Sequence, residues 1–338
     1  MTKLIKCLVN KNTSCVPIWF MRQAGRYLPE FRKIRSQNTN FIKLCLNSEL
    51  SSEITLQPLA RFNLDAAIIF SDILMVPFAL GQEVNFEKNK GPRLSKINID
   101  EILKKDENEF SRILDPVYQA IKKTRKKLNK NIPLISFIGS PWTLIVYMLS
   151  IKKEKNVLDL NVLQQKKSEI SILINKLIIF LKVHIENQKK AGADVVQIFD
   201  SWAGLIPDDN LEEYCYEPNR SLVNFSLEKK IPVICFPKGL KNNYSVFNKI
   251  VKPTGINIDY DIDPEWARRE LEGTCVQGGL DPKLLLGGDK KLIKEAEKYI
   301  KIFKNYPYIF NLGHGLLPET DIENVRKLTN FINNYYLK

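Results

Sequence analysis

The run Asp194-Val195-Val196-Gln197-Ile198-Phe199, followed at once by Asp200-Ser201-Trp202-Ala203-Gly204, decides how this chain is read. Its β-branched and aromatic residues form a short strand with no charge inside it, and a polar turn closes it. The preceding segment, residues 170–190, repeats apolar residues at helical spacing and places lysines on the other face. Seven further runs share the strand signature: residues 17–21, 66–70, 133–137, 232–236, 255–258, 274–277 and 308–312. Near-continuous apolar strands that alternate with helices imply a parallel sheet covered on both faces. Eight such units, with no linker, low-complexity block or composition break, predict an α/β fold of one kind. That fold is a single (β/α)8 TIM barrel, with residues 1–338 as one catalytic domain.

Composition narrows the function classes. The chain is 44% hydrophobic and 26% charged, the balance of a soluble globular protein. Cysteines 7, 15, 45, 215, 235 and 275 are scattered without a C-x-x-C pair or metal-ligand spacing. This argues against a disulfide framework and fits a reducing, cytoplasmic setting. Met1-Thr2-Lys3-Leu4-Ile5-Lys6 lacks the apolar core of a secretory signal. Residues 134–151 carry no charge and approach membrane-spanning length. Gly139-Ser140-Pro141-Trp142-Thr143 interrupts them, so they read as a buried strand running into a buried helix, with no membrane partner. The net charge is +13, mostly lysine on stretches such as Ile121-Lys122-Lys123-Thr124-Arg125-Lys126-Lys127-Leu128. No interleaved aromatics, recognition-helix pattern or zinc spacing accompanies them. The reading is a solvated face, without a nucleic-acid partner, whose field helps draw in a polyanionic small molecule.

A barrel of this type carries its chemistry just past the C-terminal ends of its strands. After the first run come Arg22 and Arg26, separated by a turn that includes Ala24 and Gly25, with Arg35 nine residues further on. Guanidinium groups so placed suit carboxylates or phosphates, which they bind bidentately. The plainer alternative is a strand-to-helix turn whose arginines pair with local acids such as Glu30. After the second run comes Asp72, either a helix cap or a carboxylate facing the almost wholly apolar Ile73-Leu74-Met75-Val76-Pro77-Phe78. Later runs are followed by Tyr147, Ser201, Pro237-Lys238-Gly239, Asp259, Gly278-Gly279-Leu280-Asp281-Pro282 and His314. Tyr147 reads equally as a core aromatic and Ser201 as a cap. Of the two histidines, His184 sits in an apolar helix and reads as structural, whereas His314 lies between two glycines at a strand end. No G-x-S-x-G elbow, P-loop, G-x-G-x-x-G or H-x-x-x-H is present, so the sequence predicts neither a metal nor a cofactor.

Six segments together resemble the uroporphyrinogen decarboxylase family of tetrapyrrole biosynthesis. The longest is Pro17-Ile18-Trp19-Phe20-Met21-Arg22-Gln23-Ala24-Gly25-Arg26-Tyr27-Leu28-Pro29-Glu30-Phe31-Arg32. The others are Ile69-Phe70-Ser71-Asp72-Ile73-Leu74, Gly139-Ser140-Pro141-Trp142-Thr143 leading to Tyr147, Phe199 to Gly204, Gln277 to Pro282, and Asn311-Leu312-Gly313-His314-Gly315. The resemblance implies a cofactor-free carboxy-lyase, usually a homodimer. It would convert the four acetate arms of uroporphyrinogen III to methyl groups, giving coproporphyrinogen III and carbon dioxide. It further implies that Asp72, Arg22, Arg26 and Tyr147 are catalytic. Gln23, Ala24, Gly25, Arg35, Phe137, Ser201 and His314 join them in binding substrate, the Gln23-Ala24-Gly25 backbone facing the ligand. The alternatives are a corrinoid-dependent methyltransferase of the same superfamily, whose thiolate ligands find no cysteine after Cys275, and a non-catalytic tetrapyrrole-binding protein.

Overall fold

Nine strands are present in the computed structural model, which describes residues 1–87, 91–153, 157–287 and 290–335. They are β1 (Ala67–Ile68), β2 (Val84–Glu87), β3 (Gly91–Leu94), β4 (Leu134–Gly139), β5 (Val195–Asp200), β6 (Val233–Pro237), β7 (Gly255–Ile258), β8 (Cys275–Gly278) and β9 (Tyr308–Ile309). Seven of them make one curled, all-parallel sheet in the order β1-β4-β5-β6-β7-β8-β9, with helices in the crossovers. β2 and β3 form a separate antiparallel hairpin that the sequence reading did not anticipate. The chain is thus a mixed α/β protein built on a seven-stranded parallel sheet.

The first expected strand, residues 17–21, differs. It contributes one parallel bridge, Ile18 to Phe310, in place of a ladder. The reason lies in its donors. Pro17 has no N–H. Ile18 N–H donates to the Asp65 carboxylate at 2.8 Å, Phe20 N–H to Gln23 Oε1 at 3.1 Å and Met21 N–H to Asn311 Oδ1 at 3.1 Å. Trp19 N–H alone reaches a neighbouring backbone, Phe310 O at 3.3 Å. In return the segment accepts from Phe310 N–H (2.8 Å, to Pro17 O) and from Asp65 N–H (2.8 Å, to Ile18 O).

The uncharged segment 134–151 resolves as expected. β4 ends at Gly139, Ser140 caps the next helix by accepting from Thr143 N–H, and Pro141 opens helix Pro141–Met148. Among the described residues no helix is long and apolar enough to cross a membrane. Helix Lys167–Ala191 buries Ile170, Leu173, Ile174, Leu177, Leu181 and Ile185 on one face, and Gly192 ends it at φ +113°. His184 lies on that buried face between Tyr118 Oη and Gln188 Nε2, each 2.9 Å away, and burial pushes its pKa down to about 3.

Side chains that point inside the curl form layers. The lowest is apolar: Trp19, Ile68, Ile135, Val195, Ile234, Cys275 and Ile309 pack with Leu4, Cys7 and Leu8 of helix Lys3–Asn10, which plugs the N-terminal end. Above it is a fully buried amide layer of Gln197, Asn257, Gln277 and Asn311. Gln277 Oε1 accepts from Trp19 Nε1 at 2.9 Å, and its Nε2 donates to Asn257 Oδ1 (2.8 Å) and Gln197 Oε1 (3.1 Å). Asn311 Oδ1 accepts from both Met21 N–H and Leu312 N–H. Buried amides so connected define one arrangement of the strand ends that carry the mouth.

Candidate active site

At Met21 the chain leaves the amide layer and turns. Arg22 adopts φ +60°, a left-handed conformation that a non-glycine residue adopts only when its surroundings hold it there. Gln23 does much of that holding: it is fully buried, its Oε1 accepts from Phe20 N–H, and its Nε2 donates to Ala66 O at 3.1 Å. Its backbone N–H bonds Phe20 O and its carbonyl accepts from Tyr27 Oη at 2.8 Å. Each polar group of Gln23 thus has a hydrogen-bond partner inside the protein. Ala24 and Gly25 stay half-buried at the surface of the turn.

Glu30, the acid that offered the plainer account of the arginines, is bound bidentately by Arg61 at 2.5 and 2.7 Å. Among the described residues neither Arg22 nor Arg26 makes an ion pair. Arg22 keeps contact with water yet is crowded on most sides by protein, as a side chain in a deep cleft is. Desolvation lowers its pKa, Asp72 and Tyr147 oppose that shift, and Arg26 adds to it. Arg26, Asp72 and Tyr147 therefore all lie near enough to Arg22 for their charges to act on it.

Asp72, Asp200 and Asp259 lie at or just past strand ends, and their surroundings separate them. Asp200 is buried and accepts from Thr143 Oγ1 (2.7 Å) and Asn219 Nδ2 (3.3 Å), with Cys215 Sγ at 3.7 Å. Asp259 is buried and accepts from Gly239 N–H (2.7 Å), Tyr244 Oη (3.1 Å) and Asp261 N–H (3.1 Å). Asp72, half-buried among apolar neighbours, accepts one hydrogen bond among the described residues, from Leu74 N–H at 2.8 Å. Burial pushes its pKa from 3.8 up to about 6, against the pull of that bond and of Arg22. A carboxylate left so short of donors is built to receive them from a ligand.

The other expected residues sit around this pair. Tyr147, on helix Pro141–Met148, has its phenol pKa raised chiefly by burial. Trp202 packs edge-on to it at 6.1 Å between ring centres. The Trp202 indole N–H is buried with no acceptor at full hydrogen-bonding distance, and lies near enough to the phenol to offset part of that rise. Ser201, beside it, is half-buried. Phe137 is half-buried on the inner face of β4 and meets Phe199 edge-on at 5.6 Å. Arg35 lies on helix Pro29–Gln37, donates to Asn38 O at 2.5 Å and stacks over Phe41 at 5.7 Å. Phe41 and Phe31 in turn pack edge-on against Phe70, two residues before Asp72. His314 is half-buried, and its pKa falls to about 4 through burial, Arg22 and Lys238, so its ring is neutral near pH 7.

Two functional candidates escaped the sequence reading. Lys238, just past β6, is half-buried, makes no ion pair among the described residues, and lies near enough to His314 to help hold its pKa down. Trp202 is the other. The position of each after a strand end was visible; what it touches was not.

Comparison with known proteins defines first a class and then a family. A methyltransferase from Methanosarcina mazei has the same fold, with a TM-score of 0.75 over 98% of each chain at 18% sequence identity. The chain is thus one of the α/β proteins built on a curled parallel sheet. It belongs to the uroporphyrinogen decarboxylase family, whose model, described as Uroporphyrinogen decarboxylase (URO-D), matches residues 1–335. A uroporphyrinogen decarboxylase of Orientia tsutsugamushi (strain Ikeda) is 41% identical over 99% of this chain and 99% of its own. One of Rickettsia conorii (strain ATCC VR-613 / Malish 7) is 42% identical over 96% of this chain and 94% of its own.

Proposed function

We propose that this chain is a carboxy-lyase that converts the four acetate arms of uroporphyrinogen III to methyl groups, yielding coproporphyrinogen III and carbon dioxide. The observation that carries the reading is Asp72: a donor-starved carboxylate in an apolar setting, sharing one mouth with unpaired arginines. The substrate has the matching charge layout, with carboxylates at its rim and four pyrrole N–H groups at its centre. Arg22 and Arg26 hold rim carboxylates, with Arg35 and Lys238 as further cations for them. Tyr147, Ser201 and neutral His314 hydrogen-bond the arms, the Gln23-Ala24-Gly25 backbone faces the ligand, and Phe137 packs against the macrocycle.

Protonating a pyrrole carbon makes the ring a cationic electron sink. The bond from the acetate methylene to its carboxylate then breaks, carbon dioxide leaves, and its bonding electrons pass into the ring. A second proton on the exocyclic carbon forms the methyl group, and loss of the ring proton restores the pyrrole. Each cycle consumes one proton in total. Asp72 accepts hydrogen bonds from the pyrrole N–H groups and stabilises the cation; one such contact in an apolar site contributes roughly 3–4 kcal/mol. Arg22 and Arg26 act as clamps and fields, since a guanidinium is a poor acid near pH 7.

We further propose that residues 1–338 form one domain in which residues 17–21 complete the sheet as an eighth stave. Ile18 supports this, because its flanking backbone hydrogen bonds reach Phe310 on one side and Asp65, two residues before β1, on the other. The enzyme works in the cytoplasm as a homodimer, without a cofactor or a nucleic-acid or membrane partner. Anaerobic incubation with uroporphyrinogen III, without added metal or cofactor, tests the activity. Four carboxyl groups are lost per macrocycle by chromatography; retention of all of them would overturn the assignment.

A further inference from the structure

We infer that Gly315 is a positioning residue whose missing side chain makes the space in which Arg22 lies. The inference rests on the clamp role given to Arg22 above.

A methyl group at residue 315 would stand 2.4 Å from Arg22 Cδ, 2.6 Å from Cγ and 3.0 Å from Nε. Real carbon contacts do not come that close, so one party must move. Gly315 is anchored, because the next residue donates from Leu316 N–H to Met21 O at 2.9 Å. The Arg22 backbone is anchored as well. Met21 N–H is held by Asn311 Oδ1, which also holds Leu312 N–H, and the turn beyond is pinned by Gln23. What remains free to move is the Arg22 side chain, which rotates about several single bonds. Gly315 takes no left-handed angle, so nothing in its backbone demands glycine. The space it leaves therefore serves Arg22.

Gly313, two residues earlier, gives the contrast. A methyl group there would meet backbone, Tyr260 N at 2.2 Å and the Asp259 carbonyl carbon at 2.7 Å, which cannot swing away. One glycine of the Gly313-His314-Gly315 segment thus serves the packing of loops, and the other serves the direction of a guanidinium.

The test is a double-mutant cycle on uroporphyrinogen turnover with wild type, Gly315→Ala, Arg22→Ala and the double variant. Wild-type turnover first establishes the activity itself, so failure of the assigned reaction shows there and not in the cycle. Gly315→Ala is expected to fold and to lose on the order of 10–100-fold in kcat/KM, the scale of a misplaced binding group. In the Arg22→Ala background the same change is expected to cost less than about twofold, because its steric partner is gone. Equal losses in both backgrounds, or wild-type turnover by Gly315→Ala, would overturn the inference. Should Gly315→Ala fail to fold, restored folding in the double variant supports the clash with Arg22, and continued failure refutes it.

Discussion

Replacing Asp72 by Asn should abolish most turnover and at the same time make the fold more stable, with a pH dependence of known sign. Burial raises the Asp72 pKa from 3.8 to about 6. Between those values the folded protein holds a proton that the unfolded chain has released. Stability therefore falls as pH rises through about 4 to 6, and the full cost persists above that window. A shift of this size corresponds to about 3 kcal/mol, and access of water to the half-buried carboxylate brings it nearer 2 kcal/mol. Asparagine is uncharged and keeps Oδ1 as an acceptor for Leu74 N–H. It avoids the cost, so the variant gains about 2 kcal/mol at pH 7.5, roughly 3 °C in melting temperature for a chain of this length. Below about pH 4 the gain vanishes. Calorimetry or chemical denaturation of both proteins at pH 4 and pH 7.5 measures the difference. A variant less stable than wild type at pH 7.5, or one whose advantage is equally large at pH 4, would refute the view that Asp72 is a desolvated carboxylate held for function.

The arginine beside it bears on the same proton. Because Arg22 favours the Asp72 carboxylate, Arg22→Ala should move the acid limb of kcat/KM above its wild-type position near pH 6; an unmoved limb would separate the two groups. Arg22→Ala should also raise the His314 pKa from about 4, which NMR can follow because the chain has two histidines and His184 stays near 3. Lys238→Met keeps the stem and removes the charge, so KM should rise on the order of 5–10-fold with kcat little changed. Gly313→Ala should cost more than about 3 kcal/mol or prevent soluble expression, because the obstacle at Tyr260 is backbone.

How much of this was legible in sequence follows from where each signal lies. β4, β5 and β6 and the helix before β5 announced themselves because buried parallel strands and amphipathic helices are local patterns. Residues 17–21 carry the same apolar pattern yet build no ladder, because their donors go to Asp65, Gln23 and Asn311, two of which are distant in sequence. The hairpin β2–β3 stayed hidden because Gly91-Pro92-Arg93-Leu94 alternates between exposed and half-buried and presents no continuous apolar run. In the site, Asp72 stood out against the greasy residues after it. Asp200 and Asp259 occupy equivalent places after strand ends, and what disqualifies them is donors from Asn219 and Tyr244 on other elements. The partners of Gln23 were hidden for the same reason, since the side chain bonds Phe20 and Ala66 in the wall. The service Gly315 performs for Arg22 spans almost the whole chain and has no local signature at all.

The central claim is a division of labour, with arginines capturing the acidic rim and Asp72 stabilising the cationic centre. The direct measurement compares kcat and KM for wild type, Asp72→Asn and the Arg22→Ala/Arg26→Ala double variant, with equilibrium binding of the macrocycle measured alongside. The account predicts that Asp72→Asn binds within about tenfold of wild type and loses on the order of 100-fold or more in kcat. It predicts that the arginine variant loses chiefly affinity. Near wild-type kcat in purified Asp72→Asn would contradict it.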